Sequence, residues 1–320
     1  MNDDATFISS LPTREFAKEI ISNNAKDGIE NPFFVVDIDD LFYKIDLLRK
    51  HMPRVKPFYA VKCNNDPVVL EVLASLDIGF DCASIAEIET MVSLGVDPSR
   101  IIYAHPQKHV TYLRRAWKQG VDLMTFDCAH ELYKIKEHYP SARLVLRLKV
   151  ENRKAWFRLG DKFGCSETEA VELLHMAKAL EMAVVGVCEP GGFVVSSAFF
   201  LCTKIIGKRM CESSDEIKQA VCMYYINEST YKSFMMVIYN EEIARPEPLE
   251  EVVRPTQPSM VWGITCDSSD KIKAACSLPD MDVGEWMAFP NMGAYSTTVT
   301  SPFNGFPDAE IHYRASKCIQ

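Results

Sequence analysis

The stretch "GFDCASIAEIETMVSLG", residues 79–95, sets the reading of the fold. Its opening "GFDCAS" (79–84) is a short, mostly apolar run of the kind a strand buried on both faces requires. Ser84 and Glu87 then stand three apart, so the serine can cap a new helix while the glutamate reaches back to its start. The helix stops at Gly95, giving a strand, a loop and a helix in quick succession. Working outward, the same unit recurs. Candidate strands are "KPFYAVK" (56–62), "IIYAH" (101–105), "DLMTFD" (122–127), "RLVLRLK" (143–149) and "VVGV" (184–187). The helix "SETEAVELLHMAKAL" repeats the capping pair with Ser166 and Glu169, and its Leu173, Ala177 and Leu180 share one face. Upstream, "PFFVVDIDDLFYKIDLLRKH" supplies a further strand (33–38) and helix.

Such alternation predicts a parallel sheet with right-handed crossovers. A regular period without reversal favours a β/α barrel over an open doubly wound sheet. A barrel needs eight strands, whereas the segment after residue 55 supplies six, with "CEPGGF" (188–193) as part of one more. The expected barrel domain, 31–197, is therefore incomplete, with the shortening near 187/188. After Ser197 the character changes. "SAFFLCTKIIGKR", "VCMYYINEST", "PSMVWGITCD" and "EWMAFPNMGAYS" are rich in β-branched and aromatic residues, which predicts an antiparallel β domain over 198–320, joined by 1–30. Residues 211–219 and 240–258 read as exposed polar loops.

Composition narrows the function classes. The 320 residues carry a net charge of −9, which argues against a nucleic-acid footprint. No apolar run approaches the roughly 20 residues of a membrane span, and "MNDDATFISS" lacks a signal-peptide pattern. Eleven cysteines without a CxxC pair read as reduced thiols of a cytoplasmic protein. Of the seven histidines only His105 and His109 stand four apart, and no metal site is expected.

The segments "PFYAVKCN", "GFDCAS", "MTFD", "LVLR", "KFG", "EPG", "WGITCD" and "NMGAYSTT…FNGF", in this order, resemble eukaryotic ornithine decarboxylase and its antizyme-inhibitor relatives. The resemblance implies a fold-type III pyridoxal-phosphate decarboxylase, with an alanine-racemase-like barrel plus a β domain, working as a head-to-tail dimer. Decarboxylating an amino acid leaves a carbanion at Cα, and pyridoxal phosphate absorbs that charge through its ring. By the resemblance, Lys62 is the Schiff-base lysine. Glu189 holds the proton on the pyridine nitrogen. Asp81, Glu87 and Arg147 line the cofactor pocket, with Asp81 and Arg147 expected as an ion pair and Glu87 also able to serve only as a cap. Cys266 returns a proton to Cα, Asp267 grips the distal ammonium, and Tyr295 contacts the cofactor phosphate. Tyr231 and Phe303 lie near the substrate channel. Lys162 and Asp270 match a pair that bridges subunits.

Three departures weaken the implied chemistry. Val187 is followed by Cys188 and then directly by "EPGG". The family's histidine segment, which stacks on the cofactor ring, and its glycine-rich phosphate loop are both missing. Where cofactor-binding members read "EPGR", Gly192 stands here. Losing that arginine removes charge-assisted hydrogen bonds of about 1.5–3 kcal/mol each. Finally, Asn240 takes the place of a second substrate-gripping acid. Decarboxylation of ornithine to putrescine is thus expected to be impaired, with pyridoxal 5'-phosphate held weakly or lost. The alternative is a non-catalytic protein that binds antizyme through Val110–Lys134, where Arg114, Arg115, Lys118 and Lys134 offer positive charge. Either reading allows a homodimer or a heterodimer with a family member. A third reading is a shortened product whose open strand edges prevent a stable barrel.

Overall fold

The alternation read from residue 56 onward folds as one parallel sheet of six strands. In the computed structural model, which describes residues 8–149, 162–188, 194–212 and 220–316, the strands are Phe58–Ala60, Gly79–Cys82, Ile101–Tyr103, Leu123–Phe126, Arg143–Arg147 and Ala183–Cys188. Each pairs with its neighbour in sequence. That order is the winding of a barrel, since a doubly wound sheet would reverse direction at a switch point. Among the described residues the count is six, against the eight that close a barrel.

Alternate residues face opposite sides of this sheet. Ile101, Met124, Phe126, Leu144 and Leu146 are at most 1% exposed. On the other face Ile102, Leu123 and Val145 form an apolar patch with Phe58 and Ala104. Three of the intervening helices are capped by side chains, those at Ser84 and Ser166 as the sequence predicts. Asp66 accepts from the Val69 N–H at 3.0 Å to start the helix Pro67–Ser75. Ser166 and Glu169 close a full capping box on Glu167–Ala179. Helix Ile85–Ser93 begins at Ser84, and helix Val110–Lys118 buries Leu113 and Ala116.

The chain divides into two compact units, Ile45–Phe193 around the parallel sheet and Met1–Lys44 with Val194–Gln320. The second unit holds a nine-stranded mixed sheet. Its long strand Phe199–Glu212 pairs antiparallel with Ala220–Ile226, Trp286–Phe289 and Phe33–Asp37. Thr256–Trp262 and Lys271–Pro279 are also antiparallel. Three pairings are parallel: Ala220–Ile226 with Thr256–Trp262, Glu310–Arg314 with Phe33–Asp37, and Ile8–Ser9 with Glu310–Arg314. The helix Thr13–Lys26 lays Phe16, Ala17 and Ile20 on this sheet against Phe33, Val35, Cys202 and Ala288.

Two expectations change here. The strand read at 33–38 forms over Phe33–Asp37, but it joins the mixed sheet. Residues 240–258 are not simply an exposed loop. Leu249 is 2% exposed and sits in the core cluster, because Arg14 bonds the Pro248 and Leu249 carbonyls at 3.0 and 2.8 Å and draws the segment in. No helix among the described residues is long and apolar enough to cross a membrane.

Candidate functional site

In parallel β/α sheets, chemistry gathers beyond the carboxyl ends of the strands. Lys62 stands there, in a tight turn, Val61–Cys63, that follows the first strand. The turn is fixed from below: the Tyr59 hydroxyl donates to the Asn64 carbonyl at 2.8 Å, and the Asn64 side chain accepts from the Asp66 N–H at 3.0 Å. Lys62 Nζ lies 3.3 Å from Asp81 Oδ1 on the next strand. Burial pushes the Asp81 carboxyl up, while the Lys62 ammonium and then Arg147 act against it.

The ion pair expected between Asp81 and Arg147 is replaced by this Lys62–Asp81 pair. The register explains it, since Ala60 faces Asp81 directly across adjacent strands, whereas Arg147 ends the fifth strand. Arg147 instead places its guanidinium 5.2 Å from the centre of the Phe163 ring. The same ring takes Lys162 Nζ at 5.0 Å and the edge of His105 at 5.6 Å. Burial holds His105 below its ordinary range, and the nearby Lys108 and Lys162 reinforce that. Glu87 does act at the helix start. Its carboxylate accepts from the Ala83 N–H at 2.6 Å, its own N–H donates to Ser84 Oγ at 3.2 Å, and burial raises it.

A phosphate group needs free backbone N–H groups at a strand end or helix start. Among the described residues of this unit, the glycine N–H groups that could serve are spent. Gly79 donates to Pro57, Gly95 to Val92, Gly120 to Trp117, and Gly164 to the Asp127 carboxylate at 2.9 Å. Gly186 lies inside a strand. Lys62 thus offers an amine at the strand ends, and the N–H groups of Gly79, Gly95, Gly120 and Gly164 are each already bonded within the chain. Glu189 and Gly192 lie outside the described residues.

The remaining candidates belong to the other unit. Strands Thr256–Trp262 and Lys271–Pro279 are joined by a loop carrying Cys266 and Asp267. Cys266 is exposed. The Tyr231 hydroxyl donates to Asp267 Oδ2, and Ser269 donates to Oδ1 through its N–H at 2.8 Å and its hydroxyl at 2.7 Å. The Tyr231 bond chiefly lowers Asp267, to about 2. Phe303 stacks on Tyr231 with centroids 4.2 Å apart. Asp267 therefore already has three donors on its carboxylate. Asn240, at the position of the lost acid, caps a short turn by accepting from the Glu242 N–H at 3.0 Å. Tyr295 takes a left-handed backbone conformation with φ of 55°, rare for a residue with a side chain. Nearby, an ideal Cβ on Gly293 would lie 1.9 Å from the Val195 carbonyl oxygen.

Lys62, Asp81, Glu87 and Arg147 thus gather in the first unit, and Tyr231, Asp267 and Phe303 in the second. Sequence reasoning missed the use of Phe163 as a shared ring, although "KFG" was in view. It also missed Thr230 and Thr265, whose bonds to Asp270 have no local sequence signal.

Residues 38–201 match the pyridoxal-binding domain of the pyridoxal-dependent decarboxylases. The chain is 34% identical to antizyme inhibitor 2 of Xenopus laevis, covering 94% of this chain and 84% of that one. It is 33% identical to ornithine decarboxylase of Rattus norvegicus (94% and 83% covered) and to ornithine decarboxylase 2 of Drosophila melanogaster (94% and 96%). The first alignment runs over 387 positions while using 94% of a chain of 320 residues, so dozens of its positions face no residue here. Among solved structures, the arginine decarboxylase of Paramecium bursaria Chlorella virus superposes with a TM-score of 0.85 at 30% identity, covering 94% of this chain and all of that one. A lysine in the strand-end turn, a six-stranded β/α sheet, a separate β domain and these likenesses agree: the chain belongs to the pyridoxal-dependent decarboxylase family of the ornithine decarboxylases and antizyme inhibitors.

Proposed function

We propose that this chain is an ornithine-decarboxylase-like protein of polyamine metabolism in which decarboxylation of L-ornithine to putrescine is impaired. One observation carries the reading: a lysine, Lys62, stands at the strand ends, while the nearby glycine N–H groups that could cradle a phosphate dianion are bonded within the chain. Pyridoxal phosphate supplies an electron sink when it is bound. In this reading Lys62 would hold its aldehyde carbon, Asp81 would keep Lys62 oriented, and Tyr295 would be left as the principal phosphate contact. In a dimer, by the family resemblance, Cys266 and Asp267 would serve the neighbouring subunit's pocket, as proton donor and ammonium anchor. Beside its Tyr231 bond, Asp267 Oδ2 keeps one acceptor site for that role. Titrating the protein with pyridoxal phosphate tests the reading. The lysine-bound absorbance should saturate only at concentrations far above those of active relatives and vanish in Lys62→Ala; tight saturation with turnover of ornithine would overturn it.

A second reading, non-catalytic capture of antizyme, is favoured by the likeness to an antizyme inhibitor and by one surface. Arg114 and Lys118 are exposed on the helix Val110–Lys118 and have no ion pair among the described residues. Lys134 is more committed, since it pairs with the buried Glu131 at 2.5 Å, and Arg115 pairs with Glu89. Charge reversal at Arg114 and Lys118 should therefore weaken a pull-down with antizyme more than reversal at Arg115. Undiminished capture by the double reversal would remove this surface from consideration.

A further inference from the structure

Asp270 ends the loop that begins at Gly263, and it is 1% exposed. Among the described residues its carboxylate has four donors. Oδ1 accepts from the Thr230 N–H at 2.8 Å and the Thr230 hydroxyl at 2.9 Å. Oδ2 accepts from the Thr265 N–H at 3.0 Å and the Thr265 hydroxyl at 2.7 Å. Its backbone works in the same direction: the Asp270 carbonyl accepts from the Gly263 N–H at 2.8 Å, and its N–H donates to the Asp267 carbonyl at 3.1 Å. The fit leaves no spare room, since an ideal Cβ on Gly263 would lie 2.2 Å from Oδ2.

These bonds join two separate segments. Thr230 immediately precedes Tyr231, and Thr265 immediately precedes Cys266. Tyr231 in turn bonds Asp267 near the far end of the loop. The two aspartates therefore tie the loop to the same Thr230–Tyr231 stretch, one from its base and one near its tip. A buried carboxylate facing four neutral donors gains little from charge pairing inside this chain. What it supplies is geometry: two oxygens, fixed in one plane, hold two threonines at a set separation.

We infer that Asp270 is the positioning residue of the Gly263–Asp270 loop, setting the Tyr231–Asp267 contact and thereby where Cys266 and Asp267 are presented. This rests on reading that loop as the reactive loop of the family, and it assigns Asp270 a role within one subunit.

The amide of Asp270→Asn keeps the shape but offers only one carbonyl oxygen. Its NH2 group then faces a threonine N–H, which cannot accept, so that bond is lost and only the hydroxyl can turn to accept. Two readouts follow it. Hydrogen exchange at the Thr230 and Thr265 amides should speed up by about tenfold or more, the scale of one or two lost hydrogen bonds. The ionisation of Tyr231, isolated as the absorbance difference between matched proteins with and without Tyr231→Phe, should move down toward the ordinary tyrosine range, because Asp267 no longer holds it. Thr265→Val removes a single hydroxyl at constant shape. It should shift both readouts in the same direction by less, and it decides the matter if Asp270→Asn does not fold. Glu131→Gln, an equally buried carboxylate in the other unit, should leave Tyr231 where it is. A folded Asp270→Asn or Thr265→Val protein with unchanged Tyr231 ionisation would overturn the inference, even if its exchange were faster. Neither readout needs the cofactor, so failure here is distinct from failure of the pyridoxal titration.

Discussion

Lys62 and Asp81 form an ion pair across the carboxyl ends of two adjacent strands, with Nζ 3.3 Å from Oδ1. The pair joins the residue assigned to covalent chemistry with one assigned to the pocket wall. It also makes the decisive mutation interpretable. Lys62 is 38% exposed at its side chain and Asp81 15%. With the lysine end open to solvent the pair contributes about 1 kcal/mol, and Asp81, already pushed up by burial, can take a proton when the lysine is gone. Lys62→Ala should therefore melt within a few degrees of the parent, as followed by circular dichroism. Loss of the pyridoxal absorbance in that variant then reports the missing amine. A collapse of the melting transition would instead show that Lys62 is structural.

Glu228 gives a prediction for pH. It is 2% exposed, and its carboxylate accepts from the Ser229 N–H at 2.8 Å and the Ser233 hydroxyl at 2.9 Å. Burial pushes it up from 4.5 to about 7 against those bonds. Between these values the folded chain holds a proton that the unfolded chain has released. The contribution to stability is therefore complete below pH 4.5 and is lost as pH rises toward 7 and beyond. Its full size is roughly 3 kcal/mol. Glu228→Gln keeps one acceptor and cannot ionise. The fall in melting temperature between pH 5 and pH 8 should be smaller in that variant than in the parent; equal falls would place the titration elsewhere.

Lys108 and Glu131 form a pair in the first unit with both side chains fully buried, 2.9 Å apart. Lys108 also donates to the Thr125 and His105 carbonyls at 2.6 and 3.1 Å, which ties the strand-end segment carrying His105 to the sheet. Burial lowers Lys108 to about 8, with Glu131 acting against the fall. Removing one member of such a pair leaves a buried charge short of its partner, at a cost of about 3–5 kcal/mol. Lys108→Ala should lose about that much in urea unfolding. Replacing Lys108 and Glu131 together by Met and Leu removes the buried charge and should recover part of the loss, less what Lys134 and the backbone N–H at 108 lose with the Glu131 carboxylate.

The fold was legible where it rests on repeated local physics. The strand spacing, the Ser84 and Ser166 caps and the stop at Gly95 all act within a few residues of one another, so a sequence displays them directly. Partner choice is a different matter. "PFFVVD" announces a strand buried on both faces, yet nothing in those six letters says that its neighbours are Phe199–Glu212 and Glu310–Arg314. The same limit explains Asp81, whose charge could have met Arg147 or Lys62 until the register settled it. Leu249 lay in a stretch whose proline and acid content reads as solvent-exposed, and Arg14, more than two hundred residues away, draws it inward. The four donors on Asp270 were not legible either, because they come from Thr230 and from Thr265 and are assembled only by folding.

Gly293 governs whether Tyr295 can be presented at all. Its N–H donates to the Ser196 carbonyl at 3.0 Å, and the preceding Met292 N–H donates to the Phe199 carbonyl at 3.0 Å. The loop is thus sewn to the start of the long strand. A Cβ at 293 would lie 1.9 Å from the Val195 oxygen and 3.0 Å from Phe199 Cδ2. Backbone cannot yield as a flexible side chain can, so the loop must lift and at least one of its two hydrogen bonds must break. Tyr295, two residues on, holds a left-handed backbone conformation that costs of order 1 kcal/mol and persists only while its surroundings enforce it. Lifting the loop releases that constraint. Gly293→Ala should therefore lower the melting temperature by several degrees, consistent with a loss of about 1–3 kcal/mol. It should also weaken whatever pyridoxal absorbance the parent shows by more than Tyr295→Phe does, because the whole ring is displaced and not only its hydroxyl. If Gly293→Ala melts with the parent, the Val195 contact relaxes freely and the argument for a fixed Tyr295 fails with it.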